Sequence, residues 1–150
     1  MIAQASIKTL GQDVSPKPKT LGIIGMDDAF SKFAAEAFRT AAKTVGIEVV
    51  RFDIVPEGTD YTASVSAAKA LNPDILAMGS HEKAAMEIIK ICKELKFSPK
   101  AFVQHYGMSN PDFQKGLGKD SEYVFGTSVW TPNLKHQAAI LFNTPKEYSD

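Results

Sequence analysis

Five short stretches of this chain hold the side chains that deserve most weight as candidates for binding or reaction. These are Met26 to Phe30, Pro56 to Asp60, Gly79 to Glu82, Gln104 to Met108 and Thr127 to Pro132. His81 and His105 stand out, because an imidazole changes charge near neutral pH and can ligate a metal, move a proton or hydrogen-bond a ligand. A catalytic metal usually takes three protein ligands, and the third would have to be Asp27, Asp28 or Glu82, none of which sits at a recognisable motif spacing. Metal or acid/base chemistry and plain hydrogen bonding to a ligand or water therefore both stay open for the two histidines. Aromatic side chains in the same stretches, Phe30, Tyr106 and Trp130, offer flat apolar faces that bury much ligand area, and the Tyr106 phenol adds a polar handle.

Other chemistries lack their parts. The pair Asp27-Asp28 could hold magnesium as in a phosphorylatable receiver domain, but the phosphoacceptor aspartate that should end the third strand is replaced by Gly79-Ser80. Asp28 is then better read as a helix cap with a favourable dipole interaction. No G-x-G-x-x-G spans a strand-to-helix turn and no phosphate loop occurs, so no nucleotide or other cofactor is expected. No G-x-S-x-G elbow is present. The single cysteine, Cys92, lies on an apolar helical stripe and reads as a small buried hydrophobe.

The elements that must position these stretches follow from periodicity. Leu21 to Gly25, Val49 to Ile54, Asp74 to Met78, Ala101 to Val103 and Tyr123 to Phe125 read as five strands, the last with Tyr123 and Phe125 in the core. Between them, helical stripes run through Phe30, Phe33, Ala34, Ala37, Phe38, Ala41, Ala42 and Val45, through Val65, Ala68 and Leu71, and through Ala84 to Leu95. A short helix starts near Ser109 with Pro111 in its first turn. Ala3, Ile7, Leu10 and Val14 form a further stripe ahead of the first strand. Strands alternating with helices make right-handed βαβ units. The expected fold is α/β, a three-layer flavodoxin-like lobe with a mainly parallel five-stranded sheet in the order 2-1-3-4-5. In such sheets ligands bind beyond the carboxyl ends of the strands, where the five reactive stretches lie.

The chain has 150 residues, enough for one core, with 17 basic and 17 acidic side chains. That balance offers no basic field for a phosphate backbone, so nucleic acid is not an expected partner. There is neither an eighteen-residue apolar run nor an N-terminal secretory signal. Thr144-Pro-Lys-Glu147 is a capping-box helix start close to Asp150, and the opening helix has no strand before it. Both ends suggest a lobe over residues 1–135, followed by a truncated segment, 136–150, leading back to a missing part of the protein.

In order, Lys17-Pro-Lys-Thr-Leu-Gly-Ile-Ile24, Asp28-x-Phe30, Ala41-x-x-x-Val45-Gly-Ile-Glu-Val-Val50, Gly58-Thr-Asp-Tyr61, Leu71-Asn-Pro-Asp74 and Trp130-Thr-Pro132 form a pattern. It resembles the second lobe of the branched-chain amino-acid-type substrate-binding proteins of ABC transporters, from about residue 15 onward. The resemblance implies a type I periplasmic-binding fold in which two flavodoxin-like lobes close on a small ligand without chemistry. The implied partners are a small-molecule ligand, the missing first lobe and a transporter permease, in a periplasmic or extracellular location. A fragment of this kind could also pair with its own copy through exposed cleft residues.

The family's second-lobe ligand contacts map by position onto Phe30, His81 and Tyr106, with Asp28 and Ser80 beside them. Phe30 keeps the aromatic character of its position. His81 departs from the amino-acid-binding pattern, and Tyr106 replaces a carboxylate that would pair with a ligand ammonium. The resemblance thus implies an aromatic or carboxylate-bearing small molecule rather than a simple aliphatic amino acid. The alternative use of the same lobe is as the ligand-sensing domain of a receptor or transcriptional regulator.

Overall fold

In a computed structural model that describes residues 2–128, five helices and five strands alternate along the chain. Helix α1 (Ile2–Asp13) precedes β1 (Thr20–Met26), α2 (Ala29–Thr44), β2 (Glu48–Val55), α3 (Thr62–Leu71) and β3 (Ile75–Gly79). Helix α4 (Glu82–Glu94), β4 (Ala101–Gln104), α5 (Pro111–Leu117), a 3-10 turn at Gly118–Ser121 and β5 (Val124–Phe125) follow. All neighbouring strands pair in parallel, and the sheet order is β2-β1-β3-β4-β5, as expected.

Alternation along the strands sorts the core into two layers. Leu21, Ile23, Ile75, Ala77, Ala101 and Val103 point to α1 and α2, where they meet Ile7, Leu10, Ala35, Phe38 and Ala41. Ile24, Met26, Leu76, Met78 and Phe102 point to the other face and meet Val65, Ala68, Ala85, Ile88, Ile89 and Phe113. Because β1 and β3 are covered on both faces, nearly every residue in them is buried, which is why they read as continuous apolar runs.

One contact sets how close α2 lies to the sheet. A Cβ placed on Gly79 would stand 2.9 Å from the Ala35 nitrogen and the Ser31 carbonyl oxygen, and one on Gly25 would stand 3.1 Å from the Ala35 Cβ. The two glycines at the carboxyl ends of β1 and β3 let the first turns of α2 settle against the strands. At the opposite edge Asp74 ties β1 to β3. Its Oδ2 accepts from the Lys19 and Thr20 N–H groups at 2.7 and 3.3 Å, and its own N–H donates to Thr20 Oγ1 at 2.9 Å. Lys100 Nζ lies 2.6 Å from Asp74 Oδ1.

Four expectations change. Phe33 is 56% exposed, because the buried face of α2 runs through Ser31, Ala34, Ala35 and Phe38 and leaves position 33 on the far side. Leu71 at the end of α3 and Val14 just past the end of α1 are likewise exposed. Tyr123 does not belong to a core strand: its φ of 63° turns it outward just before a two-residue edge strand, and Phe125 is exposed as well. The cap of α5 is Asn110 rather than Ser109, with Oδ1 accepting from the Asp112 N–H at 3.0 Å. Trp130 and the 136–150 segment, with the helix start at Thr144, lie outside the described residues.

Replacing Gly79 by alanine forces a backbone-to-backbone separation that no rotamer can relieve. We expect Gly79→Ala to lower stability by about 1–3 kcal/mol in urea denaturation. A change below about 0.5 kcal/mol would mean that α2 is free to move off the sheet.

Candidate functional site

The loops beyond the carboxyl ends of β1, β3 and β4 bring Asp28, Phe30, Ser80, His81 and His105 together. Asp28 is the N-cap of α2; its Oδ1 accepts from the Phe30 and Ser31 N–H groups at 2.9 and 3.0 Å, as its position in the sequence suggests. Its Oδ2 stands 3.7 Å from His81 Nε2. Burial works against the charged form of this carboxyl. Hydrogen bonding from Ser31, the nearby His81 and the Phe30 N–H outweigh it and hold the group below its usual range.

Phe30, half exposed, contacts both imidazoles. Its ring lies nearly parallel to His81, 5.9 Å between centroids at 19°, and tilts against His105 at 4.9 Å. Phe38 also meets His105, edge-on at 6.3 Å. Together Phe30 and His81 form a stacked, half-exposed aromatic pair that serves as a platform at this edge. His81 is also the N-cap residue of α4 but makes no capping hydrogen bond, so its side chain is free to face the platform. Histidine is not among the preferred cap residues, so local helix stability does not account for its presence there.

Beneath the platform, polar groups go unmet. Ser80 and Gln104 are fully buried and His105 is 7% exposed. Gln104 Nε2 donates to the Ser80 carbonyl at 2.8 Å and ties the β3–α4 turn to β4. Ser80 Oγ, Gln104 Oε1, Asp28 Oδ2 and both ring nitrogens of His105 nevertheless lack a well-formed hydrogen bond. Buried polar atoms are nearly always paired, so their concentration at one edge marks a place where a ligand or water is received. Burial pushes the His105 pKa down, with the nearby Met78 carbonyl opposing and His81 reinforcing the shift, so the ring stays neutral at physiological pH.

Two clefts flank the platform. One, about 480 Å³, runs from His81 to Asp60, Tyr61 and Glu87. The other, about 310 Å³, is lined by His105, Tyr106, Glu82 and the loop through Asn110, where Asn110 Nδ2 donates to Glu82 Oε2 at 3.1 Å. Tyr106 therefore sits at the same edge as the other predicted site residues, but in the neighbouring cleft and 59% exposed rather than over the Phe30 ring. At the opposite edge a cleft of about 300 Å³ lies between Leu10, Val14, Ala101 and Phe125; it is almost wholly apolar, and none of the unmet polar groups line it.

The metal reading of the histidines has no support among the described residues, where no group of three histidine, cysteine or acidic side chains is arranged to hold an ion. Cys92 is buried in the core, where burial, opposed by Lys93, pushes its thiol up to about 12, far from the reactive thiolate range. No helix among the described residues is long and apolar enough to cross a membrane.

Residues 2–144 match the periplasmic binding protein family. The chain belongs to that family. Among solved structures it is similar to an extracellular ligand-binding receptor from Rhodopseudomonas palustris HaA2, at 26% identity and a TM-score of 0.70, over 79% of this chain and 32% of the receptor. It also shares its fold with a leucine-binding protein from Thermotoga maritima, at 17% identity and a TM-score of 0.69, over 79% of this chain and 33% of that one. A fatty acid ABC transporter substrate-binding protein from Thermomonospora curvata gives 14% identity and a TM-score of 0.64, over 81% and 33%. The chain spans about a third of the length of each.

In this periplasmic binding protein chain, sequence reasoning found Asp28, Phe30 and His81 as neighbours. It kept His105 as one of two histidines at the crevice and included Gln104 in the stretch at the end of the fourth strand without giving it a role. The missed signal was a polar Gln-His pair directly following the apolar run Ala101-Phe-Val103, which places both at the buried end of a strand.

The burial of His105 gives stability a pH signature. The unfolded imidazole takes up a proton near pH 6.5 and the folded one resists it, so stability is full above that pH and falls as pH drops through it. The decline levels off once the pH is below the lowered folded pKa. Urea denaturation at about pH 7.5 and about pH 5.5 should show a larger loss for the native chain than for His105→Gln, by up to about 1.4 kcal/mol per pH unit. Equal losses would contradict a neutral buried ring.

Proposed function

We propose that this chain forms one lobe, over residues 1–135, of an extracytoplasmic solute-binding protein that serves an ABC importer, with residues 136–150 leading to the remainder. The lobe recognises a small molecule and performs no turnover; its partners are the other lobe and a transporter permease. The observation that carries this reading is the Phe30–His81 platform above buried polar groups, at the sheet edge where parallel α/β folds take ligands. Membership of the periplasmic binding protein family supports it, as do neighbours that are a ligand-binding receptor, a leucine-binding protein and a fatty acid substrate-binding protein.

The ligand contacts of this lobe are Asp28, Phe30, Ser80, His81 and Tyr106, with His105 behind them. A ring-bearing molecule suits the platform, since a second flat face adds about 0.5–1.5 kcal/mol beyond the area it buries. A leucine-like side chain leaves the hydrogen-bonding groups below unused. Ligand contacts that exist only when the two lobes close would shift the population toward the closed form.

Titration calorimetry on the full-length protein should find a simple aromatic compound bound in preference to leucine, with the compound recovered unchanged. Phe30→Ala should weaken that binding about tenfold, or about 1.4 kcal/mol. Tight leucine binding that survives Phe30→Ala would overturn the ligand assignment, and conversion of the compound would overturn the binding-only reading.

A further inference from the structure

Among the described residues the sheet has two free edges, and they differ. Strand β5 ends one of them with only Val124–Phe125, too short to template a partner. Strand β2 ends the other over its whole length, Glu48–Val55, and pairs on one side only, with β1. Val49 to Ile54 are all half-buried, since helices cover the faces of the strand while no described strand covers its outer edge.

What that edge offers follows from alternation along the strand. The Val55 carbonyl accepts from the Asp27 N–H at 2.8 Å and so points toward β1. The backbone groups of Ile54 and Phe52 then point outward, and those of Asp53 and Arg51 point inward. Side chains alternate across the faces. Phe52 and Ile54 pack with the α2 layer, and Arg51 and Asp53 lie on the opposite face, where Arg51 Nε donates to Asp53 Oδ2 at 2.8 Å. A bulge at Val50, where the register steps from Val49 opposite Leu21 to Arg51 opposite Gly22, ends the regular stretch.

A second β2 laid antiparallel along this edge about a two-fold axis has few registers open to it. A centre on Arg51 or on Asp53 sets like charges face to face, which destabilises a sheet. A centre on Ile54 runs Phe52 into the partner's Pro56, which has no N–H to give, and a centre on Val50 falls on the bulge. A centre on Phe52 meets none of these obstacles. Arg51 then faces the partner's Asp53, Asp53 faces the partner's Arg51, and Val50 faces the partner's Ile54. The two Phe52 rings meet at the axis, each under its own Arg39 guanidinium at 4.8 Å, whose charge Glu36 offsets at 2.6 Å.

We propose that the β2 edge is an interface with a second copy of this chain, joining two sheets of five strands into one of ten through antiparallel β2 strands centred on Phe52. The two-fold axis turns the two carboxyl edges to opposite sides, so each candidate ligand site stays open.

Analytical ultracentrifugation of the full-length protein should show a reversible monomer–dimer equilibrium that weakens as salt is added. Arg51→Asp and Asp53→Arg each set like charges across the axis at both crossings, and each should raise the dissociation constant by about tenfold or more. Mixed in equal amounts, the two variants place opposite charges at both crossings, and the mixture should dimerise about as tightly as the native chain. Mixing would not cure a folding defect. The double variant carrying both changes keeps the charges complementary within one chain and should also dimerise like the native protein. A native protein that stays monomeric throughout, single variants that dimerise as well as it does, or a loss that neither the mixture nor the double variant recovers overturns the interface.

Discussion

Everything at the carboxyl edge depends on how closely α2 approaches the sheet. Gly25 and Gly79 have no side chains to hold it off, and Ala35 is the small residue that fills what little space remains. Ser31 and Ala35 backbone atoms therefore rest on the end of β3, and the first turn of α2 overhangs the β3–α4 turn. That geometry puts Phe30 in reach of both His81 and His105, residues that come from two other loops. A side chain at position 79 would lift the helix end and with it the ring that joins the two imidazoles.

Packing and electrostatics act on the same few residues. Asp28 holds the helix start with one oxygen and sets the other, without a hydrogen bond, 3.7 Å from His81 Nε2. Gln104 spends its amide on the Ser80 carbonyl, which fixes the loop carrying His81, and keeps its own oxygen unmet. His105 packs against two phenylalanine rings, and its burial keeps it neutral. The arrangement costs stability that a cap at position 81 and an apolar residue at 105 would restore, which is the usual trade at a binding site.

The layered fold was legible because its signals are local. Apolar runs at Leu21–Gly25 and Ile75–Met78 and the stripe through Ala34, Phe38, Ala41 and Ala42 determine strands, helix and sheet class without reference to the rest of the chain. Asp28 as a cap was legible for the same reason. The errors arose where burial is decided by a distant element. Phe33 fits a helical stripe but lies off the face that the glycine contact selects, and Tyr123 fits a strand but precedes an edge with little to pack against it. Spacing placed His81 and His105 at one edge, but the Phe30 ring between them depends on the approach of α2, which no local pattern encodes. Tyr106, expected among the ligand contacts from its position after β4, lies at the same edge in the cleft lined by Glu82 and His105.

The central claim is that the ligand is received at this edge and nowhere else among the described residues. Backbone amide chemical shifts followed by NMR during titration of the full-length protein with a simple aromatic compound test it most directly. The account predicts that changes concentrate at Asp28–Ser31, Ser80–Glu82 and Gln104–Gly107. Changes centred instead on the apolar cleft between Leu10, Val14 and Phe125 would contradict it.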